Sequence, residues 1–525
     1  MAIFVIGSGP AGVAAAYSLL RKGFAVTMLD VGFRLEAQQQ QIVDRLSVGV
    51  PESWDEKDLE DLRSPTKASI GGLPQKLAYG SDYPYRTSSE LIQLDQSGSD
   101  LLISHAFGGL STAWGANVMP FLAKDITDWP IGIADLTSYY RAVFSLIDLA
   151  AREDRLSQMF PLHSDRCNFL RPSRQAEALL ITLEQHRDTL TRHGFEFGQS
   201  RLAVRNYPKG GDAGCRYCGL CLYGCPYGLI YCSAHTMVEL QQSQSFKYVP
   251  GYYVERLAES RTGVTIHARR VADGQKQKFS AERVFLGCGT VSTTRIVLES
   301  LDDLEREILV RDSQYFLTPL LSFRATPDVT TERLHTLSQI CLSLCDSALS
   351  PRSIELLIYT YNDLYRRALE RILPFRSLRN SLLSRIMIVQ GYLHSDHSSA
   401  LAMHIERTPG TDPTRVVLEC RANPRTRPMI RQVLRRLRTI APALRCLVAP
   451  FMTHISAPGK SYHVGASLPM RERPNDFECD VLGRPTGLKR VHIIDASCFT
   501  SIPATNVTLT VMANAYRIAD QAVEL

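Results

Sequence analysis

Four cysteines, Cys215, Cys218, Cys221 and Cys225, stand in the stretch GCRYCGLCLYGCPYG with the spacing C-x2-C-x2-C-x3-C, and Pro226 follows the last of them. Thiolates at that spacing form the ligand run of a bacterial-type iron-sulfur cluster, which moves electrons one at a time. Four thiolates also suit a structural zinc ion, and reduced packing cysteines or a disulfide pair are the remaining readings. A second motif opens the chain, where the apolar run Ile3 to Ile6 leads into GSGPAG and the helix-compatible AAAYSLLRKG. Each glycine there has a physical reason: Gly7 for a tight turn, Gly9 for close backbone approach to a pyrophosphate, Gly12 for close helix-to-strand packing. The pyrophosphate then sits among the unpaired amides of a helix N-terminus. Asp30 closes a second strand, read as Ala25 to Leu29, where a carboxylate accepts hydrogen bonds from ribose hydroxyls. Strand, loop, helix, strand and acid in that order indicate a dinucleotide site. With the cysteine run, they describe a redox protein with two cofactors.

The elements that position these residues belong to a chain of 525 residues, long enough that two domains are expected. With 45% hydrophobic and 21% charged residues, the composition is that of a globular protein rather than a disordered or fibrous one. A formal net charge of +6 over this length calls for no nucleic-acid partner. No stretch reaches the roughly 18 uninterrupted apolar residues of a membrane span. The glycine loop follows the first strand directly, so no export signal is expected, and the thirteen cysteines read as reduced thiols and cluster ligands. A cytoplasmic location is the expectation, with co-export on a signal-bearing partner as the exception.

The closing segment GLKRVHIIDASCFTSIPATNVTLTVMANAYRIADQA reads as a buried strand, Val491 to Ile494, then Asp495, a loop containing Pro503, and a helix starting near Asn506. Upstream lies SYHVGASLPM with His463. With these segments in this order, the chain resembles the glucose-methanol-choline (GMC) family of flavoprotein oxidoreductases. FGGLSTAWGANV, with Gly108, Gly109 and Asn117, is similar to the family's flavin-contacting segment. VFLGCGTVSTTRIVLES, Val284 to Ser300, is similar to its later nucleotide-domain strand and helix. The resemblance implies FAD as the dinucleotide, bound by Gly7, Gly9, Gly12, Asp30, Gly108, Gly109, Asn117, Asp495 and Thr508. It also implies a catalytic pair, His463 as base and Asn506 orienting a substrate hydroxyl, because oxidising an alcohol removes a proton from oxygen while hydride leaves the same carbon. The fold it implies is α/β, a Rossmann-like FAD-binding domain with a second α+β substrate domain. The former would span 1–300 and 456–525, with the cysteine-rich insertion near 210–232, and the latter 301–455.

The cysteine run narrows the resemblance to the catalytic subunit of bacterial flavin-dependent glucose dehydrogenases. There a three-iron cluster is held by cysteines corresponding to Cys215, Cys221 and Cys225. Cys218 completes a four-cysteine run here, leaving the cluster open between 3Fe-4S and 4Fe-4S. The resulting expectation is a dehydrogenase for a small-molecule alcohol, a sugar or polyol, relaying electrons to an external acceptor protein or quinone. The alternatives are an alcohol or sterol oxidase with structural cysteines, and a flavin-containing electron-transfer subunit. Arg366 to Arg385 and Arg425 to Arg445 read as basic amphipathic helices interrupted or begun by Pro374, Pro428 and Pro442, chiefly solvated faces over a core, with docking to an anionic membrane surface, an acidic electron-carrier protein or a phosphate-bearing substrate as the sharper readings. Cys341 and Cys345 are four apart, as on one helix face, and read as packing residues. His394, His397 and His404 fit neither one strand face nor one helix face.

Overall fold

The computed structural model describes residues 2–63, 76–87, 91–208, 214–406 and 414–524. The start of the cysteine-rich insertion, 210–213, lies outside the described residues. The run IFVI becomes β1, Ile3–Ile6, buried at every position. That pattern belongs to a strand covered on both faces of a parallel sheet. Helix α1, Pro10–Arg21, starts with proline in its first turn, where the missing N–H costs nothing, and buries Val13, Ala14, Ala15, Ala16 and Leu19. β2, Val26–Asp30, includes Asp30 as its last residue, one position beyond the expected end.

Five parallel strands form the first sheet, in the order Val491–Ile493, Arg283–Leu286, β1, β2 and Phe246–Pro250. The chain leaves β1 toward β2 on one side, while the strands on the other side come from much later in sequence. β1 is therefore a topological switch point, where open α/β sheets place ligands beyond the strand C-termini. The closing helix, Thr508–Ala522, lies against α1, where Ser18 Oγ donates to Tyr516 O and Lys22 Nζ to Asp520 O.

The second region is built on a largely antiparallel sheet ordered Cys446–Val448, Tyr315–Ser322, Ile386–Tyr392, Ile354–Tyr359, Ile340–Leu344 and Phe195–Gln199, with His454–Ile455 also paired to Tyr315–Ser322. The helix Thr426–Ile440 buries Met429, Ile430, Val433, Leu434, Leu437 and Ile440 at three- and four-residue spacing against it. Each such side chain contributes about 1.5–3 kcal/mol by leaving water. Its arginines occupy the other face. The second basic stretch divides into Asp363–Glu370 and Arg376–Leu383, with Pro374 in the break. A further sheet joins Ile92–Ser97 to Thr414–Arg421, Ala400–Glu406, Ile308–Asp312 and Val464–Gly465. The divisions at 300 and 455 are thus crossed by Ile92–Ser97, Phe195–Gln199 and Val464–Gly465, which enter the second region's sheets.

Candidate functional site

A cavity of about 790 Å³ begins at the β1 switch point and runs to the closing helix. Its size is in the upper part of the ~300–1,000 Å³ range of small-molecule and cofactor sites. At one end are Gly7, Gly9 and Asp30. Gly7 has φ +96°, and a Cβ on it would strike the Gly287 carbonyl. Gly12 stands behind the cavity wall, where a Cβ would collide with the Gly7 carbonyl oxygen, so it serves the packing of α1 on β1. The Phe107–Thr112 loop closes on this turn, as Gly108 N donates to Ser8 Oγ at 3.0 Å and Gly109 rests on Gly9 Cα. Asp30 accepts from Ser8 Oγ and from Tyr248 Oη on its Oδ2, and burial pushes its carboxyl up to about 6. Open backbone, a helix N-terminus and an acid at the end of β2 fit the pyrophosphate and ribose of FAD.

His463 and Asn506 meet farther along the same cavity. Asn506 Nδ2 lies 3.2 Å from His463 Nε2 although 43 residues separate them. The amide nitrogen donates, so Nε2 accepts, which assigns the ring proton to Nδ1. Tyr392 stacks on the imidazole with centroids 4.9 Å apart, and burial pushes the ring down to about 4, leaving it a neutral base. The peptide carrying His463 is fixed by its neighbours. His463 N donates to Ser461 Oγ at 2.9 Å, Ser461 Oγ donates to Asp312 Oδ1, Gly459 N donates to Asp312 Oδ2 at 2.8 Å, and Ser313 N donates to the His463 carbonyl at 3.0 Å. Asn506 precedes the helix by two residues; its N-cap is Val507 and the helix starts at Thr508, so Asn506 faces the cavity with its amide committed to His463 and does not cap. Thr508 and Val511 bring the positive end of the helix to the cavity.

Asn117 also lines the cavity and accepts from Ser338 Oγ at 3.0 Å. Asp495 is engaged by its own chain: it accepts from Gly289 N, Thr293 Oγ1 and Ser497 N, tying the helix Thr290–Leu301 to the closing loop. Tyr315, Tyr359, Tyr365 and Tyr462 add phenol rings to the wall. Lys76 lies there too, its Nζ donating to Trp114 O at 2.6 Å, and burial lowers it to about 8 despite the nearby Cys221 thiol. Ser461 opens the SYHVGASLPM segment, whereas Asp312 and Lys76 sit in no motif and only the fold brings them to the site.

Cys215, Cys218, Cys221 and Cys225 all line a second, small cavity with Leu170, Val204, Leu229 and Leu337. Backbone amides point at three of the sulfurs: Tyr217 N at Cys215, Leu229 N at Cys225 and Thr336 N at Cys221, at 3.4, 3.4 and 3.5 Å. Among the described residues no three histidines, cysteines, aspartates or glutamates are grouped to hold a metal ion. All four are free thiols, which removes the disulfide reading. His335 completes the wall, 2% exposed, with neither ring nitrogen hydrogen-bonded. A buried polar group left so costs about 1–3 kcal/mol.

Cys341 and Cys345 do not share a helix face: Cys341 is in the strand Ile340–Leu344, donating to Glu355, and Cys345 lies just past its end. His394, His397 and His404 have separate partners in Asp396, Ser350 and Glu406.

Comparison with known proteins places this geometry in context. Residues 401–515 match the family described as GMC oxidoreductase. Over 227 residues the chain is 26% identical to paromamine 6'-oxidase from Streptomyces fradiae, a match covering 42% of this chain and 34% of that protein, so the chain spans about a third of the length of this curated relative. Pyridoxine 4-oxidase from Mesorbium loti shares the fold with a TM-score of 0.61 at 13% identity, covering 100% of this chain and 99% of its own. An FAD-dependent oxidoreductase from Chaetomium thermophilum does so with a TM-score of 0.61 at 12% identity, covering 99% and 98%.

Proposed function

This chain belongs to the GMC oxidoreductase family, and from that premise we propose that it is an FAD-dependent dehydrogenase oxidising the alcohol group of a sugar or polyol. The observation that carries the proposal is the 3.2 Å pairing of His463 Nε2 with Asn506 Nδ2 in a cavity continuous with the glycine loop. Gly7, Gly9, Asp30, Gly109 and the start of the closing helix would hold the FAD. When bound, it supplies a two-electron acceptor for the hydride leaving the alcohol carbon. His463 Nε2 takes the hydroxyl proton, which a neutral imidazole can accept and an imidazolium cannot. Asn506 turns its amide N–H from the imidazole to the alcohol oxygen, holding the hydroxyl between the two side chains. Substrate class follows from the walls. Tyrosine rings suit the apolar faces of a sugar, and the carboxylates lining the cavity among the described residues are Asp30 and Asp495, at the dinucleotide end and self-satisfied respectively. Lys76 and the absence of a free acid favour a neutral or anionic alcohol over a polyamine.

Electrons would leave through an iron-sulfur cluster on Cys215, Cys218, Cys221 and Cys225. The support is that Cys221 lines the small cavity and its chain neighbour Leu222 the large one, with Lys76 lining the large cavity within electrostatic reach of Cys221. The external acceptor, a protein or quinone, belongs to the same proposal. So does docking on an anionic membrane surface, supported by exposed Ile372 and Phe375 beside Arg371 and Arg376. Among the described residues no helix is long and apolar enough to cross a membrane.

Anaerobic mixing of the flavin-loaded protein with a panel of sugars and polyols tests the proposal. Some member bleaches the flavin absorbance, and His463→Gln slows bleaching by about 10²–10⁴-fold, the usual weight of a general base. Failure of every alcohol with both residues intact would indicate an electron-transfer subunit instead. The names of two similar proteins, both oxidases, favour a second reading in which oxygen accepts the electrons. Stoichiometric hydrogen peroxide from protein lacking iron would establish it.

A further inference from the structure

Among the described residues two histidines have both ring nitrogens buried and without a hydrogen bond, His105 and His335, and each stands in the wall of one of the two cavities. His105 faces the dinucleotide cavity and packs edge-on against Phe33 and Tyr253. His335 faces the cavity of the four cysteines. Buried polar groups are almost always satisfied, and one left without a partner beside a cofactor's ligands marks where that partner belongs. The segment around His335 is clamped onto the cysteine loop in fixed register. Arg333 Nη2 donates to Arg216 O at 3.0 Å, Leu334 bridges to Cys218, Thr336 N donates to Cys221 Sγ at 3.5 Å, and Thr336 Oγ1 donates to Gly219 O at 3.3 Å. Gln339 Nε2 holds the His335 carbonyl at 2.8 Å, leaving the ring alone without a role. The rest of the wall is aliphatic except for Arg216 and Tyr227, where the guanidinium lies over the phenol ring.

Resting on the cluster reading above, we propose that His335 is the N–H donor to the iron-sulfur cluster, a positioning residue that lends it a hydrogen bond from the second region of the fold and raises its reduction potential. With four thiols available, iron does not need the imidazole as a ligand. A neutral ring carries one N–H, and the oxidised and reduced clusters differ by one negative charge. A donor aimed at sulfur therefore stabilises the reduced form more. The donor also couples the two regions, because the strands that roof the substrate cavity continue from the segment carrying His335.

The test is a comparison of wild-type protein, His335→Leu and His335→Gln, purified anaerobically with flavin content as the measure of folding. Iron and sulfide per chain, the electron paramagnetic resonance spectrum of the reduced protein, and the cluster midpoint by dye-mediated titration are recorded. All three proteins are expected to hold equal iron and sulfide. The midpoint of His335→Leu should move to more negative potential with an altered spectrum, and His335→Gln, which keeps an N–H, should recover most of the shift. An unchanged midpoint and spectrum in His335→Leu overturn the donor role while leaving the cluster standing. Loss of iron from flavin-replete His335→Leu overturns it in favour of ligation. Wild-type protein without iron and sulfide overturns the cluster reading and the donor with it.

Discussion

At the level of single residues, the imidazole of His463 decides how the site responds to pH. Burial lowers it from 6.5 to about 4, so the ring stays neutral as pH falls past the ordinary histidine value and gains its proton only near pH 4. The base is present above that pH and lost below it. The acid limb of kcat/KM for flavin reduction is therefore expected near pH 4, and a limb near 6.5 would show the ring to be solvated in the working enzyme. His463 and Asn506 were legible because each stands in a recognisable segment, and the fold then brought the two segments together. His335 was not legible. It lies in LHTLSQ, with no spacing relation to the cysteines, and its role depends on a parallel bridge between Leu334 and Cys218 that no local pattern encodes.

At the level of elements, the strand Ile308–Asp312 ends in the carboxylate that organises the turn carrying His463. Asp312→Ala removes acceptors for both Gly459 N and Ser461 Oγ, so the 459–463 peptide loses its anchor while the glycine loop is untouched. A displacement near 1 Å costs about 10²-fold in rate. The expected result is full flavin content with flavin reduction slowed by that order, and an acid limb unchanged in position because the ring's own surroundings persist. Asp312→Asn retains an acceptor for one of the two donors and should fall between. An unimpaired Asp312→Ala would mean that Ser313 N and Tyr392 hold His463 unaided. β1, α1, β2 and the closing helix were readable from the sequence within a residue or two, because glycine turns and buried apolar runs specify them locally. The Ile92–Ser97 and Phe195–Gln199 strands were not, since they pair with partners far along the chain and carry polar residues on their open faces.

At the level of the whole molecule, a carboxyl placed inside the second region's sheet couples stability to pH. Glu355 lies in the strand Ile354–Tyr359, where it accepts from the Cys341 thiol at 3.2 Å and the Ser343 hydroxyl at 2.9 Å, and burial raises its carboxyl from 4.5 to about 8. Between those values the folded protein holds a proton that the unfolded chain has released, so stability falls as pH rises through the interval. Opposing groups act lower: His105, His335, His463 and His492 are pushed down to about 4, so between pH 4 and 6.5 the unfolded chain takes up the extra protons. Asp30 and Asp312, raised to about 6, partly offset them there. The histidines of the unfolded chain are still half protonated at pH 6.5, and Lys76, lowered from 10.5 to about 8, opposes Glu355 toward pH 8, so the contribution of Glu355 is read as a difference between wild type and a variant without its carboxyl. One proton's difference is worth about 1.4 kcal/mol per pH unit, giving up to about 2 kcal/mol between pH 6.5 and 8. Glu355→Gln, which is neutral at every pH, is therefore expected to gain thermal stability relative to wild type as pH rises from 6.5 to 8. Calorimetry of both proteins at three pH values decides it: a difference in unfolding midpoint that stays constant with pH would leave Glu355 ionised within the sheet.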